Sequence, residues 1–260
     1  MGGVDYFMKL SARLQHIADW LPAGCRFADI GSDHALLPVA AVRSGRAAFA
    51  IAGEVNDGPL EAARRQVAEA GETGRISVRK GDGLAVIAPG EVDAITIAGM
   101  GGALIASILN EGQAKLVGVK QLVLQPNVGG EFVRRWLLKH DWYLVEEAIL
   151  EEDGKIYEVM KAEARTDAGE QNNELYRERE LEGCQVKLTR ELQLLMGPRL
   201  MAAPNEVFFA KWESELRKLE SIRQSVATSA LETSRQKEAE LTRLSEQLKE
   251  VLACLPKDKP

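Results

Sequence analysis

The run FADIGSDHALLP, residues 27–38, constrains this chain more than any other. Phe27, Ala28 and Ile30 have the apolar character of a buried strand end, Gly31 and Ser32 suit a tight turn, and residues 35–42 suit a helix. A strand that turns so abruptly into a helix is the first βα unit of a Rossmann-like α/β sheet. Such sheets bind ligands beyond the carboxyl ends of their strands.

Charge at this junction narrows the ligand. A pyrophosphate is held by bare backbone N–H groups in a G-x-G-x-x-G turn, and a carboxylate there repels it. Asp29, Gly31 and Asp33 stand in place of that pattern. The sulfonium and ammonium of S-adenosylmethionine are instead attracted to carboxylates, which accept charge-assisted hydrogen bonds. Asp-x-Gly after a strand therefore points to a methyl donor. The alternative reading makes Asp33 an ordinary helix N-cap and Gly31 an ordinary turn residue.

The later strand ends extend the pattern. Residues 47–55, AAFAIAGEV, form a second apolar run ending in Glu54 and Val55, with an amphipathic helix at 59–70. Glu54 follows Gly31 by 23 residues, close to the spacing of roughly 20 at which an acid ending the second strand accepts from ribose hydroxyls. A third strand at 76–78 leads to Asp82 between Gly81 and Gly83. There Asp82 either reaches a nucleoside's adenine amino group or makes a plain turn. Residues 92–98 read as a buried strand running into a loop of Gly99, Met100, Gly101 and Gly102, with a helix at 103–110. Three glycines in four positions let the backbone approach a ligand closely. A strand beginning at 122–124 ends in Gln125, Pro126 and Asn127, which places amides at the same edge. After a helix at 132–139, two alternating runs at 143–150 and 155–161 read as a closing β-hairpin. The expected fold is thus a Rossmann-like, mostly parallel α/β sheet with an antiparallel edge, the layout of class I methyltransferases.

Ahead of the first strand, Leu10, Leu14, Ile17, Ala18 and Leu21 recur at helical spacing. Lys9 and Arg13 lie four apart, so they share a face that either meets a phosphate near the site or is simply solvated. From residue 165 the chain turns polar, and 165–204 reads as a linker and connecting helix. Phe209, Trp212, Leu216, Leu219, Ile222 and Val226, then Leu241, Leu244, Leu248, Val251 and Leu255, form two apolar seams at spacings of three and four. With a polar tip at 228–237 they predict a C-terminal antiparallel, coiled-coil-like helical hairpin over 205–260, appended to an S-adenosylmethionine-binding catalytic domain at 1–164. The expected state is a monomer, although a dimeric coiled coil satisfies the same seams.

A net charge of −6 argues against indiscriminate polybasic binding of nucleic acid. Local clusters exist at Arg64 with Arg65, Arg79 with Lys80, and Arg134 with Arg135 and Lys139. The three cysteines, Cys25, Cys184 and Cys254, are odd in number, widely spaced and without a C-x-x-C pair. That argues against both a disulfide framework and a zinc site, so no metal is expected. With neither a signal-type apolar region nor a run long enough to span a membrane, the expectation is a cytoplasmic protein with no membrane partner.

Taken together, LSARL at 10–14, DIGSDHALLP at 29–38, GEV at 53–55, GDGL at 81–84, IAGMGG at 97–102 and LQPN at 124–127 closely resemble the TrmK family. Its members are bacterial tRNA methyltransferases acting on N1 of adenine 22, and the resemblance covers nearly the whole chain. It implies that Asp29, Gly31 and Ser32 line the methionine end of S-adenosylmethionine, Glu54 and Val55 its ribose, and Asp82 and Gly83 its adenine. Gly99, Met100, Gly101 and Gly102 should border the reacting centre. Asp33 and His34 become candidates for stabilising charge on the methylated base, and Asn127 for positioning it, while a structural hydrogen bond is the other reading of His34. The implied partner is tRNA, with Lys9, Arg13, Arg134, Arg135, Lys211 and Arg217 as candidate contacts. The N/D-P-P-Y motif of exocyclic-amine methylases is absent, which favours a ring nitrogen as acceptor. A methyltransferase for another RNA, protein or small molecule, and a non-catalytic RNA-binding adaptor, are the alternatives.

Overall fold

Strand β1 (Cys25–Ile30) lies inside a seven-stranded sheet of order β3-β2-β1-β4-β5-β7-β6. The computed structural model describes residues 10–181, 184, 186–227 and 232–256. Every residue of β1 from Phe27 to Ile30 is buried, as a strand covered on both faces requires. Its parallel neighbours are β2 (Ala47–Glu54) and β4 (Ala94–Gly101), flanked in turn by β3 (Ile76–Lys80) and β5 (Gln121–Val128). Helix α1 (Ala12–Trp20) precedes β1, with the Ser11 hydroxyl accepting from the Leu14 N–H as its N-cap. Helices α2 (Leu36–Arg43) and α3 (Asp57–Glu69) join strands running outward on one side of β1, and α4 (Gly102–Glu111) joins β4 to β5 on the other. Right-handed crossovers in opposite directions place these helices on opposite faces. The strand order reverses between β1 and β4, and the crevice at that switch point holds the site.

After α5 (Gly130–Lys139), strands β6 (Trp142–Glu152) and β7 (Lys155–Ala164) form the hairpin that the alternating runs predict. β7 inserts antiparallel between β5 and β6, pairing Gln121 with Glu163 and Leu124 with Met160.

The chain divides into two compact units, residues 1–172 and 173–260. The polar stretch after 164 is built rather than extended. It contains α6 (Ala168–Leu175), a two-stranded ribbon of β8 (Arg179–Glu180) and β9 (Lys187–Leu188), then α7 (Arg190–Met196) and α8 (Pro198–Ala202). Tyr176, Leu188, Leu192, Leu194, Met196, Leu200 and Met201 are buried there. Gln193, also buried, donates from Nε2 to the backbone oxygens of Tyr176 and Arg177. In the same unit α9 (Glu206–Ala227) packs against α10 (Glu232–Cys254) as the expected hairpin, and Arg223 pairs with Glu238 across it at 3.2 Å. Two details differ from the sequence reading. Phe208 rather than Phe209 is buried, so the seam starts one residue earlier, and Ile222 near the far end of α9 is 49% exposed. Part of the expected polar tip, 228–231, lies outside the described residues, whereas 232–237 belong to α10.

The cysteine expectation is corrected. Cys184 and Cys254 form a disulfide, their Cα atoms 6.1 Å apart although 70 residues separate them in sequence. Chain folding brings them together, which no spacing rule between neighbouring cysteines registers. Cys25 is a free, buried thiol in β1, and burial pushes it up to about 11.

Candidate active site

The turn after β1 is built from left-handed backbone: Gly31, Asp33 and Ala35 all have positive φ, at 71°, 52° and 54°. The φ of Gly31 strains any side chain there, and an ideal Cβ would stand 2.2 Å from the Met100 methyl, so a larger residue would also have to push the tip of that side chain aside. Helix α2 is capped by Ala35 with no side-chain hydrogen bond, which rules out the N-cap reading of Asp33. Asp33 and His34 instead stand out at the tip, their side chains 69% and 58% exposed and 3.6 Å apart.

Asp29 is the buried counterpart of that exposed pair. The Thr96 hydroxyl donates to one carboxylate oxygen at 2.6 Å and the Ser32 hydroxyl to the other at 2.7 Å. Burial pushes the Asp29 carboxyl above its ordinary range and the Glu54 charge adds to this; the two hydroxyl bonds and the Arg13 charge oppose it. A carboxylate held this way at a strand end is suited to a cationic ligand, which would return it to the ionised form.

Glu54 ends β2 and reaches back to the same turn. Its carboxylate accepts the Asp33 N–H at 2.6 Å and its neighbour Val55's N–H at 3.2 Å. Those two bonds fix its orientation, and each oxygen keeps a lone pair for a ribose hydroxyl. Val55 is exposed beside it. Asp82 precedes a short 3₁₀ turn at Gly83–Val86 without capping it, so its exposed carboxylate is not spent on the turn. Gly83, at φ 50°, packs against Ile108.

The glycine run after β4 differs from the loop expected of it. Gly99, Met100 and Gly101 continue the strand with irregular pairing, Met100 opposite Pro126 and Gly101 opposite Val128, and α4 starts at Gly102. A Cβ on Gly102 would lie 1.9 Å from the Gly129 carbonyl, so this glycine lets the start of α4 touch the β5–α5 turn. The segment is fixed by a network around Gln125 and Asn127, whose amides the sequence places at this edge without showing the bonds they make. Buried Gln125 accepts at Oε1 from Arg13 at 2.6 Å and from the Gly99 N–H at 3.0 Å, and it donates to Asn127 Oδ1 at 3.1 Å. Asn127 then donates to the Gly99 carbonyl at 2.9 Å while itself remaining exposed. Thr96 is the residue sequence reasoning missed, and a lone threonine between Ile95 and Ile97 was its available signal.

The basic candidates divide sharply. Arg13 is part-buried, lying 5.2 Å over the Tyr157 ring as well as bonding Gln125. Arg134 as a nucleic-acid contact is corrected: it is fully buried on the inner face of α5, paired with Glu147 at 2.6 Å and Glu158 at 2.7 Å. The apolar stripe of that helix faces the sheet and carries Arg134 with it, whereas Arg135, one position on, is exposed. In α9, Lys211 lies 4.9 Å over the Trp212 ring and Arg217 is exposed. Lys9 lies outside the described residues.

Among the described residues no cluster of three or more His, Cys, Asp or Glu side chains is placed to hold a metal ion, and no helix is long and apolar enough to cross a membrane. A cavity of about 410 Å³ opens at the opposite edge of the sheet, where Val119, Trp136, His140 and Trp142 line it, so it is separate from these strand ends.

An antiparallel strand wedged between β5 and β6 distinguishes this sheet from the dinucleotide-binding version, and a buried acid at the first strand end replaces the N–H cradle that a pyrophosphate needs. Both features define a class I S-adenosylmethionine-dependent methyltransferase. The chain belongs, more narrowly, to the TrmK family of tRNA (adenine(22)-N(1))-methyltransferases, whose family model matches residues 27–253. It is 48% identical over 246 residues to the Bacillus subtilis tRNA (adenine(22)-N(1))-methyltransferase, covering 94% of this chain and 98% of the relative. The crystal structure of the B. subtilis M1A22 tRNA methyltransferase TrmK superposes with a TM-score of 0.85 at 47% identity, over 94% of this chain and 99% of that one. A Streptococcus pneumoniae relative solved in complex with S-adenosyl-L-methionine has a TM-score of 0.77 at 38% identity, over 94% of this chain and 100% of its own.

Proposed function

We infer that this chain transfers the methyl group of S-adenosylmethionine to N1 of adenine 22 in bacterial tRNA. The observation that carries the donor half of the reading is Asp29, a buried carboxylate at the switch-point strand end held by Ser32 and Thr96, and the acceptor half rests on membership of the TrmK family. Asp29, Gly31 and Ser32 would hold the methionine end of the donor, Glu54 and Val55 the ribose side, and Asp82 with Gly83 the adenine. Bound there, S-adenosylmethionine supplies an electrophilic methyl group on a cationic sulfur.

Adenine N1 is neutral near pH 7 and carries an in-plane lone pair, so no base has to remove a proton before attack. Catalysis then rests on alignment, worth up to about 7–11 kcal/mol when the reacting atoms are well oriented. Gly99, Gly101 and Gly102 would border that geometry with bare backbone beside Met100, and Gln125 holds the amide of Asn127, the proposed group for positioning the base. The methylated ring gains a positive charge, and Asp33 and His34, exposed side by side at the turn tip, are the proposed groups to stabilise it. N1 lies on the pairing edge, so the adenine must be unpaired or extruded before it reacts.

Arg135 on the catalytic unit, and Lys211, Arg217 and Arg243 on the helical hairpin, are the proposed backbone contacts. Shape-reading of a folded RNA suits such scattered cations on a chain of net charge −6. The proposed setting is the cytoplasm and the proposed state a monomer, with the Arg223–Glu238 pair supporting an intrachain hairpin. Labelled donor, tRNA transcript and enzyme test the reading. Methyl incorporation into a transcript with adenine at position 22, and none when that residue is guanine, is expected; equal incorporation into both would overturn it.

A further inference from the structure

Three large apolar side chains stand in water beside the glycine run: Leu104 in α4 at 53% exposure, Val128 at the end of β5 at 71% and Phe132 in the first turn of α5 at 48%. The segments that carry them meet: α4 packs against α5, and the Phe132 N–H donates to the Gly129 carbonyl at 3.1 Å. Gly102, two residues before Leu104, would place a Cβ 1.9 Å from the Gly129 carbonyl and 3.2 Å from that of Val128, and one on Gly129 would lie 3.0 Å from the Phe132 ring. The cluster directly follows Asn127, so it is continuous with the site yet forms its rim rather than its floor. Arg135 and Lys139 are exposed three and seven positions after Phe132 on α5, hence on the same helical face. Apolar surface bordered by cations is the composition that suits a nucleobase with its phosphates.

We propose that Leu104, Val128 and Phe132 form a platform for the unpaired base that flanks the extruded target adenine. The proposal rests on the tRNA reading above. Extruding one base unstacks its neighbours and exposes an aromatic face to solvent, and a second apolar surface at the rim covers that face. The floor, made by Gly99 to Gly102 and Asn127, is left to the reacting base itself. Phe132 supplies the stacking ring, while Leu104 and Val128 extend the contact.

A cycle between enzyme and RNA tests this. Affinity is measured for wild type, Phe132→Ala and Phe132→Tyr on intact tRNA and on tRNAs carrying one abasic residue at position 21, 22 or 23. Loss of a base–aromatic stack predicts about tenfold weaker binding of intact tRNA by Phe132→Ala, with recovery in Phe132→Tyr. Donor affinity and thermal midpoint should stay at wild-type values in both variants. The Phe132→Ala penalty should vanish on the RNA that is abasic at one flanking position. Three results would overturn the proposal: wild-type affinity in Phe132→Ala, a penalty that persists on both flank-abasic RNAs, or one that vanishes only when position 22 is abasic. Methylation of intact tRNA by the wild-type enzyme reads the underlying assignment separately.

Discussion

The Thr96 hydroxyl donates to the Asp29 carboxylate at 2.6 Å across the β1–β4 pair, where the two residues sit in register. This bond and that from Ser32 hold a charge that burial disfavours. The site therefore keeps a destabilising group for the sake of its ligand.

Replacing Asp29 by asparagine separates the two roles. A carboxyl whose folded-state value is raised loses stability as pH climbs from its unfolded value through the folded one, so at pH 7 the charged form costs the fold. The asparagine variant should keep or raise its thermal midpoint. Its donor affinity should fall about 10- to 100-fold, the equivalent of roughly 1.5–3 kcal/mol for a charged hydrogen bond. Calorimetric titration with donor and a melting curve check both; a large drop in midpoint with donor binding retained would contradict the account.

Neighbouring arginines on α5 should behave oppositely. Arg134→Ala leaves Glu147 and Glu158 buried without their guanidinium, and breaking a buried pair this way costs about 3–5 kcal/mol. Arg135→Ala, at an exposed position, should change stability by less than about 0.5 kcal/mol and weaken tRNA binding instead. Denaturant melts and filter binding of the two variants distinguish these outcomes.

The fold was legible in the sequence wherever a local pattern matched its environment. Apolar strand ends, the Asp-x-Gly turn and the alternating hairpin runs gave the sheet, and the turn's acids gave the donor. What escaped were relationships between elements far apart in sequence. Arg134 looks like a surface cation until the burial of α5 turns it inward to two glutamates on β6 and β7. Gln125 and Tyr157 matter only because β5 and β7 bring them to Arg13. Cys184 and Cys254 are 70 residues apart, and only folding pairs them. The glycine run looked like a loop because glycine is poor in strands, yet pairing with β5 carries the strand to Gly101.

Glu91 gives the fold a defined acid dependence. Two hydrogen bonds from Arg79, at 2.7 and 2.9 Å, and one from the Ala88 N–H at 2.8 Å hold its carboxyl at about 2 instead of 4.5. A depressed carboxyl contributes fully above its unfolded value and loses that contribution as pH falls from 4.5 toward 2. Glu91→Gln should therefore destabilise by about 1.5–3 kcal/mol at pH 7, and the gap from wild type should narrow across that window. Urea melts at several pH values read it.

Reduction of the Cys184–Cys254 bond opens a closure spanning 70 residues. In the chain-entropy account this lowers the stability of the unit that contains it by about 4 kcal/mol. Melts with and without reductant should show the difference, and Cys254→Ser should match the reduced wild type.

The central claim is methyl transfer to a ring nitrogen of one adenine. Unmodified tRNA treated with enzyme and labelled donor, then cleaved into fragments and digested to nucleosides under mild conditions, shows both the position and the atom. The account predicts 1-methyladenosine in the fragment holding adenine 22 and in no other. Label recovered as N6-methyladenosine, or at a different residue, would contradict it.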